Sequence, residues 1–250
     1  MKTDALATLL PATKLAPVLK RHMPAEVPAA PLDPIATLVS SFLLWESSTT
    51  AAEQALVRVK AECVDFNELR VCLPEEIMAM LGSRYPFAEE RANRMRRSLN
   101  DIYRREHKVS LDHVAGLGKR EQRAYIENLD GMVPFVAGRL LLLHFGQAGV
   151  PIDDQLAELF REQKLIAKET TTTDLGHALN KHYHALDEAT KVHIALVAFA
   201  DAAWEKDPKA MTKNKSARMA AQQAAERAAR REAEKAAEAA AKAAEAAARA

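Results

Sequence analysis

Residues 129–145 read LDGMVPFVAGRLLLLHF, and this stretch decides the fold. Leu129-Asp130-Gly131 interrupts a helical pattern that runs from Lys119 to Asn128, because glycine readily adopts conformations outside a helix. Pro134 suits the first turn of a new helix, which is apolar on nearly every side through Phe145. A helix of that kind must lie in the centre of a domain. The stretch therefore predicts two helices joined by a tight turn, with the second helix buried.

A series of further helices surrounds this pair. Each begins at a residue that caps a helix or fits its first turn, such as Asp33-Pro34 or Ser48. The longest, from Phe87 to His107, has apolar residues three and four positions apart, the spacing of one buried face. The other predicted helices are 35–45, one capped by Ser48 to Thr50, two short ones opened by Asp65 and Pro74, 153–163, 174–186 and 187–205. No stretch alternates as a strand does, so the sequence predicts an all-α fold.

The two ends of the chain differ in composition from the middle, which gives three segments. Six of the eleven prolines fall between Pro11 and Pro34, and we expect residues 1–30 to be an extended, loosely attached, Pro-rich extension. Residues 31–205 carry the helical series. Residues 206–250 are Ala-rich and basic, with 11 Lys and Arg against 6 Asp and Glu, which predicts a solitary helix. This tail either contacts DNA or a partner protein or is a solvated helix.

Composition excludes several classes of protein. Apolar residues make up 48% of the chain, enough for a buried core, and 5% are aromatic. Cys63 and Cys72, the two cysteines, cannot form a disulfide scaffold or a four-cysteine metal site, and we interpret them as buried apolar residues. No apolar run reaches the roughly 20 residues that span a bilayer, and no secretory signal is recognisable. We expect a soluble, cytoplasmic protein, associated with the nucleoid if it is bacterial.

The hairpin and the segment after it resemble a known family. Leu129 to Ala137, an apolar helix, and then Val150-Pro151-Ile152-Asp153-Asp154-Gln155 are together similar to the helix-hairpin-helix superfamily of base-excision DNA glycosylases, and to its endonuclease III-like members in particular. In that family the hairpin reads Leu-Pro-Gly-Val-Gly-Arg-Lys-Thr-Ala and the later segment reads Val-Asp-Thr-His. A gapless alignment places the family's lysine at Phe135 and its catalytic aspartate at Asp153, eighteen positions apart. The resemblance spans residues 31–203 and implies the helical glycosylase fold.

The resemblance also implies double-stranded DNA as the partner, bound when hairpin N–H groups contact a phosphate. The candidate DNA-binding residues lie in the turn and on the preceding helix: Gly131, Met132, Val133, Lys119, Arg120 and Arg123. Val133 replaces the family's second glycine and disfavours a positive φ, and Pro134 has no N–H to donate. We therefore expect a weaker hold on the phosphate than the family has.

By resemblance, Asp153 is the candidate catalytic residue, because its carboxylate can stabilise the cationic sugar formed as the base leaves. The same position also suits a helix N-cap with an acidic first turn, and both roles remain open. Phe135 cannot form the Schiff base of the strand-cleaving members, so lyase activity is not expected. We interpret Phe135 as a core residue or a wall of the base pocket, and Glu46 stands at the position of the family's base-wedging glutamine.

No cofactor and no metal site are expected. In endonuclease III an iron–sulfur cluster is held by four cysteines after the last helix, whereas no cysteine follows Cys72 here. The side chains of His182 and His184 point about 200° apart on a helix and cannot share an ion. With His177 and His193, they are interpreted as solvated helix residues.

Six arginines give the helix from Phe87 to His107 a basic face: Arg91, Arg94, Arg96, Arg97, Arg104 and Arg105. One interpretation is a track for DNA phosphates. The other is a polar face whose charge is balanced by Glu89, Glu90, Asp101 and Glu106 on the same helix.

Three functional hypotheses follow from the sequence. The first is a base-excision-repair DNA glycosylase, monofunctional because it lacks the lysine, that hydrolyses the N-glycosidic bond of a damaged or mispaired base through Asp153. The second is a catalytically degenerate DNA-binding module of the same fold. The third is a protein-interaction scaffold in which the Ala-rich tail contacts a partner. The first predicts that Asp153 faces a cleft with the hairpin on its rim.

Overall fold

The computed structural model describes residues 12–27, 33–82 and 84–207, which form twelve α-helices and no strand. The all-α prediction is confirmed for these ranges. The helices are α1 (Ala12–His22), α2 (Pro34–Leu44), α3 (Thr49–Glu62), α4 (Phe66–Val71), α5 (Pro74–Leu81), α6 (Ala88–Glu106), α7 (Asp112–Ala115), α8 (Lys119–Glu127), α9 (Pro134–Leu143), α10 (Asp154–Glu162), α11 (Thr172–His182) and α12 (Leu186–Lys206). A boundary in the chain falls after Lys206. The predicted Ala-rich helix lies, beyond Asp207, outside the described residues.

Side-chain caps explain where several helices begin. The Asp33 carboxylate accepts the N–H of Ile35 at 2.8 Å, and Pro34 occupies the first position of α2. Ser48 and Asp65 cap α3 and α4 in the same way. The helix expected to begin at Asp174 begins instead at Thr172, because Thr171 is its cap. The short helix α7 was not predicted from the sequence.

Apolar side chains form two cores that meet along α9. The first core contains residues of α2 to α9, and the second contains residues of α1 and of α9 to α12. Leu141 belongs to the first core and Leu142 to the second, so α9 is the central helix that its sequence predicted. We call the boundary between the cores the seam: it runs where α2 and the residues after it face α9, the start of α10, and α12.

The N-terminal segment differs from the expected extended chain. Residues 12–22 form α1, which packs against α12 and buries Leu15 and Leu19 in the second core. These leucines lie four positions apart, on one face of a helix. The free energy gained from their burial outweighs the loss of the backbone hydrogen bond that Pro17 cannot donate. No helix in the described part of the chain is both long and apolar enough to cross a membrane.

Candidate functional site

The predicted hairpin is present as α8, a turn and α9. Gly131 has a φ of +79°, and a Cβ atom there would lie 2.6 Å from the carbonyl oxygen of Arg94. Glycine is therefore required both by the turn and by its close approach to α6. Val133 adopts an extended conformation with φ −121°, so the expected conflict between its branched side chain and a positive φ does not arise.

An aspartate occupies the position where the hairpin would bind an anion. The Asp130 carboxylate accepts from Arg97 Nε at 3.1 Å and from the N–H of Gly131. Hydrogen bonds from the Arg97 side chain, with its charge and the Gly131 N–H, lower the pKa of Asp130 below its usual value. The turn therefore carries a carboxylate that is paired with Arg97, beside the N–H groups where the resemblance implies phosphate binding. Asp130 was not predicted to act at the turn, although an acid directly before the turn glycine is visible in the sequence.

The structure separates the candidate cations of α8 from the turn. Lys119 and Arg120 are exposed at the start of α8, and the nine residues of that helix span about 13 Å, so these side chains lie far from Gly131. Arg123 is exposed one turn further on and donates to Glu127 at 3.0 Å. Lys119, Arg120 and Arg123 are thus exposed on the first helix of the hairpin and are not part of its turn.

Asp153 is buried at the seam with both carboxylate oxygens hydrogen-bonded. Its Oδ1 accepts the N–H of Leu156 at 2.9 Å, which is the N-cap bond of α10. Its Oδ2 accepts the N–H of Glu46, also at 2.9 Å. The side chain therefore joins the start of α10 to the residue that follows α2 and Trp45. The capping role that the sequence left open is observed.

Glu46 does not occupy the exposed position that a base wedge needs. It is 4% exposed, and its backbone φ is +49°, a value that residues other than glycine rarely adopt. Trp45 before it is buried and stacks on Phe87, with ring centroids 6.1 Å apart. The chain turns sharply here, and the bond from Glu46 N–H to Asp153 holds that turn.

Arg91 stabilises the turn at Trp45 and Glu46 through hydrogen bonds to backbone carbonyl groups. This fully buried side chain donates to the carbonyl oxygen of Trp45 at 2.6 Å and to that of Phe42. Tyr85 donates its hydroxyl to the carbonyl oxygen of Leu43 at 2.7 Å. The last carbonyl groups of α2, which have no partner within the helix, are thereby satisfied.

Burial lowers the pKa of Arg91 to about 10, although Tyr85, Glu46 and Asp153 act in the opposite direction. Arg91 is thus a buried positive charge that interacts electrostatically with the carboxylates of Glu46 and Asp153.

The phosphate-track interpretation of α6 is wrong for its first arginines. Arg91 and Arg94 are buried, and Arg94 Nε donates to Glu90 at 2.6 Å. Arg97 pairs with Asp130, while Arg104 and Arg105 both pair with Asp101. For Arg94, Arg104 and Arg105, the acids of α6 provide the balance that the alternative from the sequence expected, whereas Arg91 bonds to carbonyl oxygen atoms.

A second polar group lies along the seam and was not identified from the sequence. Arg139, one helical turn after Phe135 on α9, donates Nη1 to Ser41 Oγ at 2.9 Å and to Ser40 Oγ at 3.3 Å. The ring of Phe135, which is 6% exposed, lies 6.2 Å from the ring of His193 on α12. A lone charge inside the apolar run of α9 was the signal that could have identified Arg139.

His193 corrects the interpretation of the histidines as solvated. It is 2% exposed, and burial, with the charge of Arg139, lowers its pKa to about 3. Ala189 and Leu196, four positions before and three after, are also buried and share its helix face. His177, His182 and His184 are exposed, as expected. Within the described ranges, no three His, Cys, Asp or Glu side chains are arranged to hold a metal ion.

The two cysteines lie together at the ends of α3 and α4. Cys63 is buried in the first core, as expected, whereas Cys72 is partly exposed. Burial and the neighbouring Cys72 raise the pKa of the Cys63 thiol to about 12, so it is a protonated, unreactive thiol at neutral pH.

Comparison with solved structures identifies the fold. No protein-family model and no curated protein sequence matches the chain. A trapped endonuclease III–DNA covalent intermediate, an estranged-adenine complex, superposes with a TM-score of 0.58 at 12% identity, over 80% of this chain and 86% of that one. The 8-oxoguanine glycosylase/lyase of Clostridium acetobutylicum, bound to duplex DNA with cytosine opposite 8-oxoG, superposes with a TM-score of 0.55 at 13% identity, over 74% and 68%. The helical architecture expected from residues 31–203 is therefore confirmed.

Proposed function

We propose that this chain, which has the fold of the helix-hairpin-helix DNA glycosylases, is a monofunctional DNA glycosylase that removes a base through Asp153. The observation that carries the proposal is the placement of a buried carboxylate at the seam between the two cores, fixed by two backbone N–H groups. A catalytic group held in this way needs no reorganisation as charge develops beside it.

The chemistry requires one carboxylate and one water molecule. When the C1′–N bond breaks, its electron pair leaves with the base and the sugar becomes an oxocarbenium cation. The Asp153 carboxylate stabilises that cation, and a water molecule adds to C1′ and gives up a proton. A carboxylate offers about four lone-pair sites, and each Asp153 oxygen accepts one backbone N–H.

Strand cleavage is not part of the proposal. Phe135 stands at the start of α9 where the resemblance places the nucleophilic lysine, and its side chain carries no amine. A Schiff base therefore cannot form there, and the product is an intact strand with an abasic site.

Double-stranded DNA is the proposed partner, bound mainly through cations rather than through the turn. Lys119 and Arg120 are exposed near the hairpin helix, whereas the Asp130 carboxylate opposes a phosphate at Gly131. We expect weak, strongly salt-dependent binding. No cofactor is included in the proposal, and a cytoplasmic location is proposed with it.

The test is base removal by the full-length protein from duplexes that carry uracil, an oxidised pyrimidine, an alkylated purine or a mispaired adenine. Alkali then reveals abasic sites as strand breaks. We expect breaks with one substrate, their loss in Asp153→Asn, and their retention in Asp154→Asn. Asp154 is the matched control, because it is the exposed neighbouring carboxylate on the same helix. Equal activity of the two variants would exclude catalysis by Asp153.

A catalytically silent DNA-binding module is the second candidate. It is favoured by the full engagement of Asp153 in backbone hydrogen bonds, since a capping residue alone explains that geometry. Salt-dependent duplex binding without abasic sites on any substrate would establish it. Absence of both binding and turnover would instead favour the protein-interaction scaffold.

A further inference from the structure

Two buried polar atoms at the seam have no hydrogen-bond partner within the described residues. They are Nε of Arg139, on α9, and Nδ1 of His193, on α12. Buried polar atoms are nearly always paired, so each exception requires an explanation. Here the two belong to side chains close enough for the charge of Arg139 to lower the pKa of His193. They flank the buried ring of Phe135, which lies on the same face of α9 as Arg139 and touches His193.

Arg139 has an excess of donors. Its guanidinium bonds only to the hydroxyl oxygens of Ser40 and Ser41 among the described residues, and these hydroxyl groups both donate to the carbonyl oxygen of Thr37. Burial with no compensating carboxylate lowers the pKa of Arg139 to about 10. The Nε–H therefore remains available for an acceptor such as a carbonyl oxygen.

His193 provides the complementary acceptor. With a pKa of about 3 the imidazole is neutral at physiological pH, so one ring nitrogen is a donor and the other an acceptor. We assign the lone pair to Nδ1, the buried ring nitrogen that has no partner among the described residues. Nδ1 then requires an N–H group.

The geometry points to a site at the seam that recognises a nucleobase by its lactam edge, a carbonyl oxygen beside a ring N–H. The carbonyl accepts from Arg139 Nε, the ring N–H donates to His193 Nδ1, and Phe135 supplies an aromatic surface for the base. Uracil, thymine, guanine and hypoxanthine carry this edge, whereas adenine and cytosine present an amino group beside an unprotonated ring nitrogen. Arg139 is partly exposed, but its Nε and the His193 ring are buried, so a base can enter only if neighbouring side chains move aside. The inference rests on the proposed function, since a base must leave the duplex to enter.

The experiment measures binding, which is separate from turnover. Full-length protein is titrated into four duplexes by fluorescence anisotropy, each with one base opposite an abasic-site analogue: uracil, cytosine, hypoxanthine or adenine. A fifth duplex has abasic analogues in both strands. We expect about tenfold tighter binding of uracil over cytosine and of hypoxanthine over adenine, because the wrong edge leaves a buried donor and acceptor unpaired.

Two variants test the assignment of the site. Arg139→Met keeps the apolar stem and loses the donor, and His193→Phe keeps an aromatic ring and loses the acceptor. Both should abolish the preference and leave binding of the doubly abasic duplex unchanged, which also verifies folding. Arg123→Met is the matched control. Loss of this exposed cation should weaken the binding of all five duplexes alike and preserve the preference for uracil and hypoxanthine. If one of these two variants fails to bind the doubly abasic duplex, the base preference of the other variant tests the assignment.

The outcomes separate this inference from the glycosylase proposal. A preference that disappears in the seam variants, without base removal, supports the inference and contradicts the glycosylase. Base removal that depends on Asp153 but acts on adenine or cytosine alone supports the glycosylase and overturns the inference. Equal affinities for the four bases, no binding at all, or a preference that survives in both seam variants would also overturn the inference.

Discussion

Asp153 gives the sharpest test of the site, because its two hydrogen bonds can be removed separately. Asp153→Ala removes the N-cap bond to Leu156, which costs about 1 kcal/mol. It also leaves the buried N–H of Glu46 unsatisfied, which costs a further 1–3 kcal/mol or so. We therefore expect the free energy of unfolding to fall by about 2–4 kcal/mol. Asp153→Ser keeps a good N-cap and loses only the bond to Glu46, so it should cost about 1–3 kcal/mol.

The matched control is Asp65→Ala. Asp65 caps α4 with one exposed bond to the N–H of Glu68, and its loss should cost about 1 kcal/mol. The assay is urea unfolding of the full-length chain, followed by the fluorescence of its two tryptophans, Trp45, which is buried beside Glu46, and Trp204. The expected order of destabilisation is Asp153→Ala, then Asp153→Ser, then Asp65→Ala.

Two results would refute this reasoning. If Asp153→Ala costs no more than Asp65→Ala, the bond from Glu46 contributes nothing and the seam is not held by Asp153. If Asp153→Ser is as stable as the parent protein, the N-cap accounts for all of the structural role. Either result would show that the bond from the Glu46 N–H adds no stability.

Three further predictions concern the hairpin and the second core. Asp130→Asn should raise the affinity for duplex DNA about threefold at low salt, because a negative charge beside the turn is removed. The exposed control Asp112→Asn should change the affinity less, and anisotropy titrations measure both. Gly131→Ala should destabilise the protein by about 1–3 kcal/mol through strain and a backbone clash, whereas Gly176→Ala, in a helix with free space around it, should stabilise it by about 0.5–1 kcal/mol in urea unfolding. His193 should make the protein less stable as the pH falls from 6.5 towards 3, since the unfolded chain binds a proton there that the folded chain rejects, with a slope of at most about 1.4 kcal/mol per pH unit. Unfolding of His193→Phe across that range should lack this slope, and identical slopes would show that the buried imidazole is not neutral.

The helices and the hairpin were predictable because their signals are local. Asp33-Pro34 fixes the start of α2 through a cap and a preset φ, and both act within a few residues. Gly131 marks the turn for a similar reason, since its positive φ is a property of one residue. Asp153 was predictable as a cap on the same grounds. The burial of α9 follows from an apolar surface that no single neighbouring helix can cover.

The second partner of Asp153 depends on tertiary structure, because Glu46 lies 107 positions away and contributes a backbone N–H that any residue type would carry. Arg91 was misread for a related reason. On a helix wheel it belongs to a basic face, yet it is buried beneath α2, where the last carbonyl groups require donors. Asp130 and Arg97 likewise pair across 33 positions, so the ion pair at the turn was not visible in the motif.

The all-α class, the bounds of most helices to within a few residues, and the hairpin follow from the sequence alone. Those properties depend on spacing and on residue chemistry along a single chain segment. The tertiary structure alone shows that α1 folds onto α12, that Glu46 is buried, and that Arg139 and His193 lie at the seam with unpaired polar atoms. Burial and pairing of this kind arise from contacts between distant helices, which determine the environment of a side chain without changing its identity.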